Sequence, residues 1–499
     1  MILDKPHAVQ IATEDRTLVA VDEFSIPRHQ ITVLLGESGI GKSLLAKALY
    51  GLLEPGELSV TIDGRPYREY RSQPATQRLQ RQSFFVFQEP STHLNPLLTI
   101  GEQLNEGSLA GTSHQEEILR ELWKGKNGDT AEKLLHLYPK PYRPSGGEKQ
   151  RMLIAMAFKK MDMVAEQNPA DDALFVFDEP TGSLDNYYRD VFLEMLFERF
   201  RRHRPAVLLI THDYSMIGRI YDVHADVLRH IVFRELVSVG ERVYLREFEP
   251  RKYVQWLQSL QPATVQAGQV ILTIEPNLDV HGRHLVIADA ADGSRPSPLV
   301  LKRGELVYLK APSGVGKTTL AKTIMGLLNA QKFSARLKDY VLNERTPLHE
   351  YRRKIWGKAM TLVFQHADEA LNLESTVRSA LRGLPSLKGV ATHEVVGAMR
   401  ELFDEVDQSF LARKVKHLSG GQKQRLNLLR GFLLDTDVLI LDEPLNGLDF
   451  GSAGTVIQMI QRKQQAGKSI LLISHNEEIF DRIVSPSGTY YLRATDATL

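Results

Sequence analysis

Two short segments, GESGIGKS at 36–43 and APSGVGKT at 311–318, have the make-up of a loop that wraps phosphate. Each follows a strand-like apolar run and precedes a stretch of helical spacing, which is the context that makes such a motif specific. Glycines let consecutive backbone N–H groups curl round phosphate oxygens, and the helix that follows turns its positive end to the same charge. In the first segment Gly36, Ser38, Gly39 and Gly41 form the cradle, Lys42 reaches the terminal phosphates, and Ser43 offers a hydroxyl to a magnesium ion. The second keeps Ser313, Gly314, Gly316, Lys317 and Thr318 for the same roles. It departs at its start, where Ala311 replaces the first glycine at a steric cost if the turn needs positive φ, and Pro312 has no N–H to donate. Nucleotide binding is expected of both.

Asp178-Glu179 and Asp442-Glu443 each end an apolar run, which puts two carboxylates at the tip of a buried strand. Beside a phosphate loop, Asp178 and Asp442 suit the magnesium shell, and Glu179 and Glu443 suit the polarising of an attacking water. Gln88 and Gln365 follow β-like runs and are candidates for the same magnesium shell. His212 and His475 follow the next apolar strand, at the reach of a γ-phosphate. Singly, an Asp-Glu pair is more often a helix cap and such a histidine more often structural. Their recurrence in one order, each time downstream of a phosphate loop, favours the chemical reading.

The elements that must position these residues are written twice. GKSLLAKALYGLL at 41–53 returns as GKTTLAKTIMGLL at 316–328, and SGGEKQR at 145–151 returns as SGGQKQR at 419–425. The offset between paired landmarks is nearly constant until the first half adds KKMDMVAEQNPADD at 159–172, which reads as a surface insertion. Apolar β-branched runs alternate with helix-period segments in both halves, so the class is α/β with a mainly parallel sheet. The expected division is a first domain at 1–257, a link at 258–268 marked by proline and glutamine, and a second domain at 269–499.

Composition narrows the alternatives. With 62 basic and 61 acidic residues, net charge supplies no general attraction to nucleic acid, and none is expected as a partner. The absence of cysteine excludes disulfides and cysteine-ligated metal clusters. The first residues lack a secretory signal's apolar run, and no stretch is long and apolar enough for a transmembrane helix, so a cytoplasmic chain is expected.

With these motifs in place, each half resembles the nucleotide-binding domain of ATP-binding cassette (ABC) proteins, over nearly the whole chain. The resemblance implies two tandem P-loop NTPase domains of ABC type, each with a helical subdomain, that bind ATP and Mg2+ and hydrolyse ATP. It implies that the halves close head to tail as an intramolecular pseudo-dimer. Ser145, Gly146 and Gly147 would then serve the nucleotide on the second phosphate loop, and Ser419, Gly420, Gly421 and Gln422 the nucleotide on the first. The loops at Asp185 and Asp449 also match the family's order. Both altered elements, the Ala-Pro loop and the signature with Pro144 and Glu148, fall in one composite site, which Glu148 is expected to weaken by charge if it points inward.

FQEPSTHLNPLLTIGEQL at 87–104 and RPSGGEKQRMLIAMAF at 143–158 resemble the ATPases of oligopeptide, dipeptide and nickel importers. That resemblance implies separate permease chains and a substrate-binding protein as partners, and a place on the inner face of the cell membrane. It is thinner in the second half, and the family's His-Pro-Tyr-Thr extension is missing. The alternative class is a soluble two-cassette ATPase, either a translation factor on the ribosome or an assembly factor. A long basic linker is not found for the former. No adenine-stacking aromatic stands out, and Phe24 is expected to face the core.

Overall fold

The computed structural model describes residues 3–14, 17–105, 113–123, 145–167, 173–182, 186–239, 242–266, 268–289, 295–311, 314–382, 384, 392–403 and 406–495. The chain divides into two compact units, Met1–Pro250 and Arg251–Leu499.

The described strands of unit one are β1 (His7–Ala12), β2 (Thr17–Phe24), β3 (Ile31–Gly36), β4 (Ser59–Ile62), β5 (Arg65–Pro66), β6 (Phe84–Val86), β7 (Leu174–Asp178), β8 (Ala206–Ile210), β9 (Ile231–Val239) and β10 (Arg242–Glu247). The main sheet has the order β10-β9-β3-β8-β7-β6 and is parallel except where β10 pairs with β9. Every residue of β3, β7 and β8 is buried, which is why these strands read as unbroken apolar runs. A second, antiparallel sheet, β2-β1-β4-β5, packs its alternate residues Val9, Ile11, Val19 and Val21 into the same core as Leu34 and Leu208. Phe24 lies in that core, as expected.

Unit two contains β11 (Val270–Ile274), β12 (Asn277–Val280), β13 (Arg283–Asp289), β14 (Leu299–Lys302), β15 (Leu306–Lys310), β16 (Ser334–Leu337), β17 (Tyr340–Asn343), β18 (Met360–Val363), β19 (Val438–Asp442), β20 (Ser469–Ile473) and β21 (Thr489–Thr495). Its main sheet runs β12-β13-β21-β15-β20-β19-β18, with β21 to β18 parallel and β12 and β13 antiparallel at one edge. The antiparallel sheet is β14-β11-β16-β17. A mainly parallel sheet is thus present in each unit, and a separate antiparallel sheet accompanies it.

Two sequence readings change. The stretch from Lys159 is not a surface loop at its start. It prolongs the helix Gly146–Gln167, whose counterpart Gly420–Leu433 is shorter. Lys159 and Met161 are buried in it, so the extension is core-facing; residues 168–172 lie outside the described residues. The compact division falls after Pro250, ahead of the link expected at 258–268. Tyr253 and Leu257 of the helix Pro250–Ser259 are buried, and the Gln461 side-chain amide donates to the Gln261 carbonyl at 2.8 Å. The segment therefore packs as part of unit two.

Candidate functional site

Parallel neighbours deliver the loops that follow them to one crevice at the carboxyl edge of a sheet. In unit one β3 pairs with β8, and β8 with β7, with Asp178 opposite Ile210. The phosphate loop, Glu179 and His212 each follow one of these strands, so sheet register alone brings them together. In unit two β15, β20 and β19 repeat the arrangement, with Asp442 opposite Ile473.

Gly36 and Gly41 show why the first loop needs glycine. Their φ values are 142° and 108°, and a Cβ would lie 2.6 Å from the Leu236 carbonyl oxygen or 2.3 Å from Val19 Cγ2. Ser38 and Gly39 lie in the turn between them, and Lys42 opens the helix Lys42–Tyr50. Lys42 Nζ donates to the carbonyls of Gly36 at 2.7 Å and Glu37 at 2.9 Å, and stands 3.7 Å from Glu179 Oε1. Burial pushes this ammonium below the ordinary lysine range, against the pull of Glu179, Asp178 and Glu37.

Ser43 Oγ donates to Asp178 Oδ1 at 2.8 Å, and burial pushes the Asp178 carboxyl up to about 6. Burial also raises the Glu179 carboxyl, but His212, with Nδ1 at 2.8 Å, and Lys42 outweigh it and hold the group below the usual range. The His212 imidazole is raised in turn, the Glu179 charge prevailing over burial. Gln88 is exposed past the end of β6 and does not take the Ser43 hydroxyl.

Unit two assembles the same groups with other supports. Lys317 Nζ donates to the Ala311 carbonyl at 2.7 Å and stands 4.0 Å from Glu443 Oε1. Gly314 and Gly316 keep positive φ, whereas Ala311 is not among the positive-φ residues. The steric cost anticipated for Ala311 is therefore absent. β15 pairs with β21 no further than Lys310, so Ala311 lies beyond the ladder, while Gly36 is still paired with Leu236. Ala311 packs against the core of its unit.

Thr318 Oγ1 donates to Gln365 Oε1 at 3.3 Å. Burial pushes Asp442 up to about 6, and its Oδ1 is buried without a hydrogen-bond partner. Glu443 has His475 Nδ1 at 2.8 Å and accepts from Ser474 Oγ at 2.7 Å and His475 N at 3.2 Å. Its burial would raise the carboxyl, but His475, Lys317 and Ser474 together hold it low.

One feature of both sites was not foreseen. Glu179 and Glu443 have φ of 49° and 48°, left-handed conformations at residues followed by proline. Proline disfavours a helical residue before it, so each glutamate is held at a strained corner, at a cost of order 1–3 kcal/mol. The Glu-Pro pairing is the sequence signal that pointed there. Hydrogen bonds from Glu179 N to Ile210 O (3.0 Å) and from Glu443 N to Ile473 O (2.8 Å) fix the corners to the next strand.

Each signature heads a helix. Ser419 caps the helix Gly420–Leu433 through a reciprocal box with Gln422, whose backbone N donates to Ser419 Oγ at 3.1 Å. Gly420 and Gly421 form its first turn, as Gly146 and Gly147 do in the helix Gly146–Gln167. Ser145 repeats the box: its N and Oγ donate to Glu148 Oε2 at 2.8 and 2.9 Å. Glu148 thus serves its own helix, as Gln422 does in unit two. The signature helices also grip the glutamine segments, through Gln150 Nε2 to Phe87 O at 3.3 Å and Asn427 Nδ2 to Phe364 O at 3.0 Å. Pro144, Asp185, Pro312 and Ser313 lie outside the described residues.

The description ABC transporter fits residues 20–182 and 295–446, more than half of the chain, as two copies of one family model. The chain belongs to the ABC transporter family. ABC-type ATP hydrolysis follows from that membership. The family's peptidoglycan transport ATP-binding protein YejF of Agrobacterium fabrum (strain C58 / ATCC 33970) is 26% identical over 501 residues, 92% of this chain and 85% of that protein. The glutathione import ATP-binding protein GsiA of Escherichia coli (strain K12) is 26% identical over 532 residues, covering 94% and 81%. Among solved structures, the archaeal ribosome recycling factor aABCE1, crystallised with the ribosomal stalk protein aP1, aligns with a TM-score of 0.59 at 19% identity, covering 95% and 87%. That likeness concerns the fold.

Proposed function

We propose that this ABC ATPase is the energy-supplying subunit of a membrane transporter, an importer of peptides or a similar small solute, working on the inner face of the cell membrane with separate permease chains and a substrate-binding protein. The observation that carries the reading is the same constellation of phosphate-loop lysine, strand-tip carboxylates and histidine assembled twice, in a chain whose relatives YejF and GsiA are named for transport and import.

The cassettes fit Mg2+ with ATP. Ser43, Gln88 and Asp178 in one cassette, and Thr318, Gln365 and Asp442 in the other, would hold the ion, and the orphaned Asp442 Oδ1 is an acceptor site that such an ion satisfies. Mg2+ would neutralise charge on the β- and γ-phosphates. Lys42 and Lys317 exchange their carboxylate neighbours for phosphate, which frees Glu179 and Glu443 to orient water, while His212 and His475 turn to the γ-phosphate. The signature of each cassette, Ser145 to Gly147 or Ser419 to Gln422, serves the nucleotide of the other. Bonds between signature helix and glutamine segment carry the change to the permease.

A cavity of about 440 Å3 beside β6, lined by Phe87, His93, Met156 and Lys159 among others, supports permease docking on unit one. Leu97, 83% exposed, belongs to the same segment.

The second reading, an ATPase acting on the ribosome, rests on likeness of fold to the recycling factor. Purification of the native protein in mild detergent separates the two. Recovery with multispanning membrane chains is expected, and recovery with ribosomal proteins and no such chain overturns the transport reading.

A further inference from the structure

In unit one the helix Asn186–His203 is tied directly to the segment after His212. Arg189, in the first turn of the helix Asn186–His203, donates from Nη1 to Ser215 Oγ at 2.6 Å and stands 3.7 Å from Asp213 Oδ2. Aligning Asp185 with Asp449 and His212 with His475 puts Ala453 in the place of Arg189 and Glu478 in the place of Ser215. Alanine cannot make that bridge.

The helix Pro250–Ser259 stands across the corresponding elements of unit two. Tyr253 is 1% exposed, and its hydroxyl donates to Glu478 Oε2 at 3.2 Å. Its ring meets Phe450 edge-on at 5.5 Å, and Trp256 meets Phe450 at 5.2 Å. Phe450 follows Asp449, whose carboxylate caps the helix Phe450–Gln465 by accepting from Ser452 N at 2.8 Å. Ser452 Oγ in turn accepts from Arg425 Nη1 of the signature helix at 2.9 Å. One turn on, Trp256 lies over Gly454, where a Cβ would be 3.6 Å from its indole nitrogen.

We infer that Tyr253 and Trp256 are positioning residues for ATP hydrolysis in the second cassette. They hold the Asp449 helix and the His475 segment in one register, the service Arg189 performs in the first. This rests on Glu443 being the base of that cassette. Rigid aromatic contacts suit the task because they fix a helix without adding charge beside a nucleotide. The strap also makes the segment joining the two repeats part of the second cassette's machinery.

The test measures ATP turnover in two backgrounds. With Glu179→Gln, where remaining hydrolysis belongs to Glu443, Trp256→Ala is expected to lower kcat about five-fold and leave KM within about two-fold. Trp256→Phe restores most of the rate. With Glu443→Gln, Trp256→Ala leaves the rate unchanged. Equal loss in both backgrounds, no loss in either, or failure of phenylalanine to rescue overturns the inference. If the glutamine substitutions themselves leave turnover intact, the assignment of the bases fails first, and is seen to fail.

A second measurement needs no turnover. The chain has three tryptophans, and with Trp123 and Trp356 replaced by phenylalanine, Trp256 emission reports on Phe450. In the double glutamine variant, titration with ATP and Mg2+ should shift that emission saturably, and an unchanged spectrum contradicts the inference.

Discussion

The two cassettes hold the same reactive groups in different frames. The phosphate loop of unit one leaves β3 while Gly36 is still laddered to Leu236, so no side chain fits at its first position. In unit two the ladder ends at Lys310 and the same position accepts alanine. The serine of unit one bonds Asp178, while the threonine of unit two bonds Gln365 and also acts on Asp442. Glu443 accepts one hydrogen bond more than Glu179, from Ser474 Oγ, while each glutamate also accepts from the backbone of its histidine. Beside the glutamine segment, Met156 lines the open cavity of unit one, while in unit two Arg430, one turn past Asn427, donates to the Ala370 carbonyl at 2.8 Å. A departure from a motif is therefore not a loss of function by itself. Its weight depends on which neighbour the standard residue had to avoid or satisfy.

The largest expected effect lies at the bases. Glu179→Gln should lower steady-state ATPase about five-fold, leaving the turnover of Glu443, and Glu443→Gln less than about two-fold, because Glu443 must also break its bond to Ser474 before it can act and so carries the smaller share. Equal losses would show that the extra bond to Glu443 does not matter. Next comes the loop. Gly36→Ala forces a Cβ against the Leu236 carbonyl and should cost about 1–3 kcal/mol, read as a lower denaturant midpoint. Ala311→Gly should cost less than about 1 kcal/mol. A reversal of that order would undo the account of the ladder.

The pH dependence follows from Asp178 and Asp442, both pushed by burial up to about 6 from an ordinary 3.8. A raised folded value means that the proton is held more tightly in the native chain. This contribution to stability is complete below the unfolded value and is lost as pH rises through about 6. In the proposed Mg2+ sites both groups would have to ionise to hold the ion, so affinity for Mg2+ with ATP should weaken below pH 6, by up to about ten-fold per unit for each site. Calorimetric titration on both sides of pH 6 checks this, and constant affinity would contradict it. The smallest effect is expected at Glu148→Gln, which recreates the Ser419–Gln422 box and should leave ATPase within about two-fold.

Much of this was legible because it is local or repetitive. The strands β3, β7 and β8 read as apolar runs since both their faces are covered, and the phosphate loops read from glycine spacing. The meeting of Glu179 with His212 followed from order along the sheet. What escaped depends on partners distant in sequence. The antiparallel sheets require β1 and β11 to find strands on either side, and their short alternation, as in His7–Ala12, is a weak signal. The helical course of Lys159 to Gln167 escaped because its polar residues suggest a loop, while Lys159 is in fact buried and donates to the Leu104 carbonyl. Nothing local tells that Tyr253 belongs with Phe450.

That both cassettes are complete nucleotide sites is tested most directly by counting. Equilibrium titration of the Glu179→Gln, Glu443→Gln protein with ATP and Mg2+ should find two nucleotides bound per chain. One per chain would contradict the account, and retention of that one after Lys42→Ala or after Lys317→Ala would identify the cassette that binds.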